Sequence, residues 1–166
     1  DTENTGNTLY VFDSTGIYDK PNMKVLSAFD AWASNYPVVS AILPSSANKM
    51  IILGQFVKYN STVIKRNAKI DEDDFSLDGS YNLYTKGGTN GDVYAQAILP
   101  NDEIFIGGSF THYDAAEVNH IVKLNKDGVI DNSFHPSKGF NNSVYAVCAD
   151  NDKVVIGGDF TMIDAD

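Results

Sequence analysis

A recurring strand motif is the feature of this sequence that most restricts its fold. The pattern Ile-x-Gly-x-Phe begins at residues 52, 106 and 156, so its copies lie 54 and then 50 positions apart. Each copy follows an apolar run and a short polar turn. A period near fifty residues is typical of repeat architectures, in which each unit packs against the next. The chain is therefore expected to form a row of similar units.

The second half of the unit also recurs, as a hairpin. Residues 121–131 resemble residues 9–19, and each segment carries a turn glycine at the same place. Asp127-Gly128 favours a tight turn because glycine accepts a positive φ without steric cost. The middle copy, residues 63–75, lacks this glycine, so we expect its hairpin to be reshaped.

Aspartates recur in these hairpins. Asp19, Asp71 and Asp131 occupy positions that match in the sequence repeat. Aspartate side chains in turns accept hydrogen bonds from nearby backbone N–H groups. The repetition therefore indicates a turn-capping role for all three.

Each unit contains four short segments rich in Val, Ile, Tyr and Phe, a composition that favours strands. The sequence predicts an all-β fold of β-propeller blades, each with four antiparallel strands, in a single repeat domain. The predicted divisions are the second half of a blade, two whole blades and the first half of a blade, at residues 1–36, 37–92, 93–143 and 144–166.

The sequence contains few signals for helices. Residues 23–34 alone have apolar side chains near helical spacing, which favours a short helix or an ordered loop. Residues 76–92 are rich in Gly, Asn and Thr and are expected to be loop.

The second unit resembles the delta-60 repeat. Residues 107–110 form the Gly-Gly-x-Phe strand of that family, residues 124–128 its Leu-Asn-x-Asp-Gly turn, and residues 131–134 its Asp-x-Ser-Phe segment. The resemblance is weaker in the first unit, where Leu53 replaces the first glycine. It implies a β-propeller-type fold for nearly the whole chain.

The number of units is small for a propeller. Two whole units and two complementary halves amount to three blades, whereas propellers typically contain 4 to 8. Either the chain is part of a larger propeller or several copies complete one ring. A first residue other than Met and a last residue within a unit favour the larger propeller.

The charge balance excludes some classes of partner. The chain has 12 Lys and Arg against 22 Asp and Glu, for a net charge of −10. Binding to nucleic acid or to an anionic membrane surface requires a basic patch. No apolar run approaches the ~20 residues of a membrane span. The only cysteine, Cys148, lies in an apolar run and is expected to be buried.

Residues that suggest catalysis, a metal or a cofactor have simpler explanations. The pairs Gly107-Gly108 and Gly157-Gly158 lie inside strands without the helix that a phosphate loop requires, so close packing or a bulge is favoured. The acidic run Asp71–Asp74 lacks the spacing of a calcium loop and is expected to be a solvated turn. We predict no catalytic residue, cofactor or metal ligand. The histidines lack metal-ligand spacing, and they are His112, His120 and His135.

Aromatic residues outside the repeat pattern are the predicted partner contacts. They are Trp32, Tyr36, Tyr81 and Tyr84. Exposed aromatic side chains anchor protein partners and sugars well, although core packing is the alternative for each of them.

These observations favour a non-enzymatic structural or binding module. We expect it on a phage particle, as a tail or receptor-binding component, or on a bacterial surface, and therefore outside the cytoplasm. Its expected partners are other protein subunits of an assembly, including copies of itself, or a surface glycan. The alternative is a fragment of a secreted propeller enzyme, a hydrolase or lyase with a site in the central channel.

Overall fold

The computed structural model describes residues 29–30, 38–64, 66–82, 88–136 and 138–163. Thirteen short strands and one helical turn make up its regular structure. In chain order these are β1 Phe29–Asp30, β2 Val38–Ser45, β3 Lys49–Gln55, β4 Lys58–Tyr59, β5 Thr62–Val63, β6 Asn67–Asp71, α1 Gly79–Asn82, β7 Val93–Ile98, β8 Ile104–Gly108, β9 His112–Tyr113, β10 Ala116–Glu117, β11 Ile121–Leu124, β12 Val144–Ala149 and β13 Val154–Gly158. The predicted all-β fold is confirmed.

Three antiparallel sheets repeat along the chain. The first has the order β2-β3-β6, the second β11-β8-β7, and the third consists of β12 and β13. Their registers agree, because Gly54, Gly108 and Gly158 lie opposite Val39, Val93 and Val144 respectively. We call the parts of the chain that contain these sheets the first, second and third units.

Each of the first two units also carries a small hairpin between its second and third strands. The hairpins are formed by β4 with β5 and by β9 with β10. The fourth strand of the predicted blade is reduced to one bridging residue, Leu77 opposite Ile70 in the first unit and Ile130 opposite Leu124 in the second. It stops there because the next residue, Asp78 or Asp131, begins a capped turn.

The segment before each unit pairs with the stretch that follows the second strand of that unit. Phe29 lies opposite Tyr59, Thr89 opposite Tyr113, and Phe140 opposite Ile163. Residues 29–30 therefore form a strand within the segment for which a helix or loop was expected. The helical turn α1 lies in the connection that was expected to be loop alone.

The hydrophobic core lies within and between the sheets. One cluster fills the first unit, around Ile52, Phe56 and Ile70. A second joins the first unit to the second, since Leu53 packs in the same cluster as Val93. A smaller one around Ile121, Phe140 and Val144 joins the second unit to the third, so two of these three clusters span neighbouring units.

The paired glycines serve this packing. A Cβ on Gly107 would overlap the Val144 side chain of the next unit. A Cβ on Gly108 would overlap the carbonyl oxygen of Asp92, which precedes β7 of the same unit. The first glycine therefore allows close approach between units and the second allows it within a unit, which confirms the architectural explanation. At Gly157 a Cβ would meet only the Cβ of Ala146, at an ordinary 3.8 Å.

The hairpin turn of the first unit is reshaped, as expected, by one additional residue. Phe75 takes a φ of +58° where Gly128 takes +79° in the second unit. The Tyr59 hydroxyl donates to the Phe75 carbonyl as the Tyr113 hydroxyl donates to that of Gly128. A buried phenylalanine thus replaces the expected turn glycine.

Asp71 and Asp131, which match in the sequence repeat, do not occupy equivalent positions in the structure. Asp71 is equivalent to Asn125, because each accepts a hydrogen bond from the backbone N–H two residues later. The equivalent of Asp131 is Asp78, whose backbone N–H donates to Lys69 as that of Asp131 donates to Lys123. The turn-capping role itself is confirmed for Asp71 and Asp131, while Asp19 lies outside the described residues.

The prediction that Cys148 is buried was wrong. Cys148 is exposed, and its partner across the sheet is Val155, of which 70% is exposed. Phe105, the equivalent of Val155 in the second unit, is only 5% exposed, because it lies opposite Lys123 of β11 and its ring packs edge-on against that of Phe134. The apolar run at Cys148 belongs to a sheet with one fewer described strand.

In the described part of the chain, no helix has the length and apolar character needed to cross a membrane.

Candidate functional site

The first strand of each unit contains a β-bulge at the same place. The pairing register shifts between Val39 and Ala41 in the first unit, and in the same way around residues 94 and 145 in the other two. The additional residues are Ser40, Tyr94 and Tyr145. A bulge re-aims a side chain out of the alternation of its strand, and bulges are frequent beside binding sites. We call these three residues the bulge row.

Two tyrosines of the bulge row stack on each other. The ring centroids of Tyr94 and Tyr145 are 5.4 Å apart, and the rings are inclined by 30°. Tyr94 is 37% exposed and Tyr145 50%. Tyrosine is enriched at interfaces, where both its ring and its hydroxyl make contacts, so a stacked and exposed pair is a candidate contact surface.

Polar groups adjoin this pair. The Tyr145 hydroxyl donates a hydrogen bond to Oδ2 of Asp159, at 3.1 Å. That bond to a carboxylate raises the pKa of Tyr145, so the phenol remains protonated at neutral pH. The positions equivalent to Asp159 are Ser109 and Gln55, so an acid is present in one unit alone of the three.

The first member of the row differs from the others. Ser40 is exposed, and its hydroxyl donates to the carbonyl of Val93 in the second unit, at 3.3 Å. It has no ring to offer a ligand. The bulge row thus presents a serine hydroxyl in the first unit, a tyrosine in the second, and a tyrosine with a neighbouring carboxylate in the third.

The chemistry available at the bulge row is that of binding. An exposed aromatic face can contact an apolar surface, and a hydroxyl and a carboxylate accept or donate hydrogen bonds around it. Within the bulge row and its neighbour Asp159 there is no histidine, cysteine or lysine to act with the carboxylate as a base or nucleophile.

Of the four aromatic residues predicted as contacts, the structure describes Tyr81. It is fully buried, and its hydroxyl exchanges hydrogen bonds with the Asn67 amide at 2.9 and 3.1 Å. Burial raises the pKa of Tyr81. This position favours the alternative of core packing. Trp32, Tyr36 and Tyr84 lie outside the described residues.

The acidic run forms an exposed turn, as expected. Asp71 pairs with Lys49 at 2.7 Å and accepts a hydrogen bond from the backbone N–H of Asp73. The Lys49 ammonium, with these backbone N–H groups, lowers the pKa of Asp71. Nowhere in the described ranges do three or more His, Cys, Asp or Glu side chains form a group suited to a metal ion.

Other charged groups near the sheets are occupied in joining units. The carboxylate of Asp102 accepts hydrogen bonds from the Ser46 backbone N–H, at 2.9 Å, and from the Ser46 hydroxyl, and lies 3.6 Å from the Lys69 ammonium. Burial alone would raise the pKa of Asp102, but these bonds outweigh it and lower the pKa. Arg66 likewise donates to the carbonyl of Thr89 at 2.6 Å.

A small cavity lies beside the β9–β10 hairpin. Its volume is about 120 Å³, and its lining includes Val122, Phe134 and His135. Pockets for small organic ligands usually enclose roughly 300–1,000 Å³. The cavity is too small to compete with the bulge row as the principal candidate site.

Sequence reasoning identified the strands that carry Tyr94 and Tyr145 but not their exposure. The available signal was the glycine that faces each bulge, since glycine within a strand often marks a bulge or a close backbone approach. Aligning Val39-Ser40-Ala41 with Val93-Tyr94-Ala95 would also have shown the one position that varies between two constant neighbours.

Comparison with protein families matches one segment. Residues 99–134 match a family model described as "Domain of unknown function (DUF5122) beta-propeller". The matched segment covers β8 to β11 and the turn that follows. Searches of curated proteins and of solved structures found no match. The family description and the three repeated antiparallel sheets agree on a propeller-type fold.

Proposed function

We propose that this chain is a non-enzymatic binding module of the delta-60 repeat type, which presents the bulge row to a surface glycan. The stacked and exposed pair of Tyr94 and Tyr145 is the observation that carries this proposal. The ring faces would contact the apolar faces of sugar rings, while Asp159 accepts hydrogen bonds from sugar hydroxyls.

The rest of the described surface supports a binding role over a catalytic one. The aspartates that recur in the units are engaged in capping turns or in joining neighbouring units. The repeat thus supplies a scaffold, and the positions that vary between units supply the contacts. Display on a phage particle or a bacterial surface belongs to the same proposal, because glycan recognition is useful at such surfaces.

A glycan array probed with the wild type and with the double variant Tyr94→Ala/Tyr145→Ala tests the proposal. Aromatic contacts at the centre of an interface are worth roughly 2–4 kcal/mol, so we expect binding to fall at least tenfold. Val63→Ala is the matched control, since it truncates an exposed apolar residue of the β4–β5 hairpin, outside the bulge row, and should leave binding unchanged.

A gain of binding would provide stronger support than a loss. Ser40→Tyr extends the row by one ring at an exposed position, and we expect tighter binding to an extended oligosaccharide. Full binding by the double variant would contradict the site. Cleavage of the bound glycan by the wild type would contradict the non-enzymatic assignment.

A further inference from the structure

The small cavity beside the β9–β10 hairpin has an apolar floor and a polar rim. Buried or partly buried apolar side chains form the floor, and they include Ile121, Val122, Ile130 and Phe134. The polar residues of the lining are all exposed, and they are Glu117, Asn132, His135 and Lys138. Binding sites for small molecules commonly combine such an apolar interior with a few polar groups that orient the ligand.

Two walls of this cavity are held together by Asn119. Its Nδ2 donates hydrogen bonds to Oε1 of Glu117, at 3.0 Å, and to the carbonyl of Lys138, at 2.6 Å. The Asn119 carbonyl accepts a hydrogen bond from the backbone N–H of Phe140, at 3.1 Å. The hairpin and the segment that contains Lys138 are therefore joined before any ligand enters, and a preorganised site lowers the cost of binding.

The floor is apolar where the first unit is polar. In the first unit, the Tyr81 hydroxyl and the Asn67 amide exchange hydrogen bonds. The equivalent residues in the second unit are Phe134 and Ile121, whose side chains have no polar atom. A polar group of a ligand would lose its hydrogen bonds to water against this floor and gain none, so the floor selects an apolar group.

The size of the cavity limits its occupant to one small group. Apolar cavities of about 150 Å³ accept a molecule of the size of benzene. The volume here is about 120 Å³, so the occupant is somewhat smaller than benzene. At the rim, the Glu117 carboxylate accepts hydrogen bonds, while the side chains of His135 and Lys138 donate them. An acetamido group fits this combination, because it has a methyl group at one end and an N–H donor and a C=O acceptor at the other.

We propose that this cavity binds the acetamido group of an N-acetylated amino sugar. The methyl group contacts the floor, the amide meets the polar groups of the rim, and the sugar ring remains outside. The choice of a sugar rests on the proposed glycan-binding function, whereas the choice of an acetamido group rests on the cavity alone. A site for one functional group supports only weak binding, with a Kd on the order of 1 mM.

Saturation-transfer NMR of the whole chain with N-acetylglucosamine, glucosamine and glucose tests the recognised group. The acetyl methyl of N-acetylglucosamine should receive the strongest transfer, because it lies deepest in the cavity. Glucosamine and glucose lack this methyl and should bind roughly tenfold more weakly. In a titration with N-acetylglucosamine, the largest amide shifts should belong to residues that line the cavity. Equal binding of the three sugars would overturn recognition of the acetamido group.

Ala116→Leu tests the location. Ala116 lines the cavity and is exposed, so a larger side chain there obstructs the cavity without disturbing the core. Ala115→Leu is the matched control, since Ala115 is exposed on the same hairpin but does not line the cavity. We expect Ala116→Leu to lose the methyl signal and Ala115→Leu to keep it, with circular dichroism to verify that both fold. Full binding by Ala116→Leu would place the sugar elsewhere and overturn the assignment.

A second variant keeps the test independent of the hairpin. His135→Ala removes an exposed rim group from the other wall of the cavity, and it should weaken binding severalfold without affecting the fold. Wild-type affinity in both His135→Ala and Ala116→Leu would exclude the cavity as the site.

The double variant Tyr94→Ala/Tyr145→Ala separates the cavity from the bulge row. It should keep the methyl signal, because neither tyrosine lines the cavity. Loss of the signal in the double variant, with retention in Ala116→Leu, would assign the sugar to the bulge row and overturn the cavity site. Retention of the signal in a chain that binds nothing on a glycan array would contradict the bulge-row function and leave the cavity site standing. Binding of an acetyl-lysine peptide in place of N-acetylglucosamine would overturn the choice of a sugar.

Discussion

At the scale of residues, the turn position that is Gly128 in the second unit and Phe75 in the first shows how backbone strain is balanced against burial of a side chain. Phe75 takes a positive φ, which costs an L-residue roughly 1–2 kcal/mol. Its ring is 6% exposed and lies in the core of the first unit. Burying such a side chain contributes roughly 1.5–3 kcal/mol, so the position tolerates phenylalanine where the second unit uses glycine.

The ion pair of Lys123 with Asp131 predicts a specific acid sensitivity. Lys123 lies 2.6 Å from Asp131, and its hydrogen bond, with those from Ser133, lowers the pKa of Asp131 from 3.8 to about 2. Because the folded-state pKa is lowered, the stabilisation is complete above pH ~4 and is lost as the pH falls through ~2. Asp131→Asn should therefore lower the free energy of unfolding at pH 7 by about 1–3 kcal/mol.

Urea denaturation at pH 7 and pH 3 measures this effect. The loss of stability between the two pH values should be smaller for Asp131→Asn than for the wild type. Asp127→Asn removes a more exposed partner of Lys126 and should change neither value appreciably. Equal acid sensitivity of Asp131→Asn and the wild type would show that this pair does not stabilise the fold.

At the scale of elements, the β2–β3 hairpin carries avoidable strain. Ala47 and Asn48 both have positive φ, at +57° and +58°, and both are exposed. Ala47→Gly removes the steric cost of the left-handed conformation at the expense of some conformational entropy in the unfolded chain. We expect a net gain of about 0.5–1 kcal/mol.

Thermal unfolding followed by circular dichroism is a suitable measurement for Ala47→Gly. Ala116→Gly provides the control, since Ala116 is also exposed but lies in β10 without a positive φ. The control should lose about 0.5–1 kcal/mol. A lower melting temperature for Ala47→Gly would mean that the turn has another conformation.

Much of the element pattern was predictable from the sequence. The strands, their antiparallel pairing and the Asp127-Gly128 turn depend on alternation and turn chemistry, which act over a few residues. The truncation of the fourth strand and the extra turn residue before Phe75 were not predictable in this way. They depend on where backbone hydrogen bonds end, as at Asp78 and Asp131.

At the scale of the whole molecule, stability depends on contacts between successive units. Asp102 joins the second unit to Ser46 and Lys69 of the first, and it is 7% exposed. Asp102→Ala would leave the Lys69 ammonium and the Ser46 backbone N–H without this partner. We expect a loss of about 1–3 kcal/mol and weaker coupling between the two units.

Equilibrium urea unfolding, followed by hydrogen exchange of each unit, measures both effects. In the wild type, the backbone amides of β3 and β8 should exchange with the same dependence on urea concentration. If Asp102→Ala weakens the coupling, the two strands should show different dependences. Asp152, the equivalent of Asp102 in the third unit, is exposed, so Asp152→Ala is the control and should behave as the wild type. Equal destabilisation by both variants would contradict a specific role for Asp102.

The candidate site was less predictable than the fold. The tyrosines nominated from the sequence lay outside the repeat, and the one that the structure describes, Tyr81, is buried. Tyr94 and Tyr145 lie inside the repeat, where architecture was the expected explanation. A bulge exposes them, and a bulge is a property of the register between two strands.

The sequence by itself determined the repeated strands, the glycine pairs and the turn-capping aspartates, because these depend on short-range sterics and hydrogen bonds. The tertiary structure alone decided that Tyr94 and Tyr145 are exposed and stacked, that Cys148 is exposed, and that Asp78 is the equivalent of Asp131. Each of these depends on strand register or on whether a neighbouring unit covers the residue. Such contacts join residues far apart in the chain, and no local pattern specifies them.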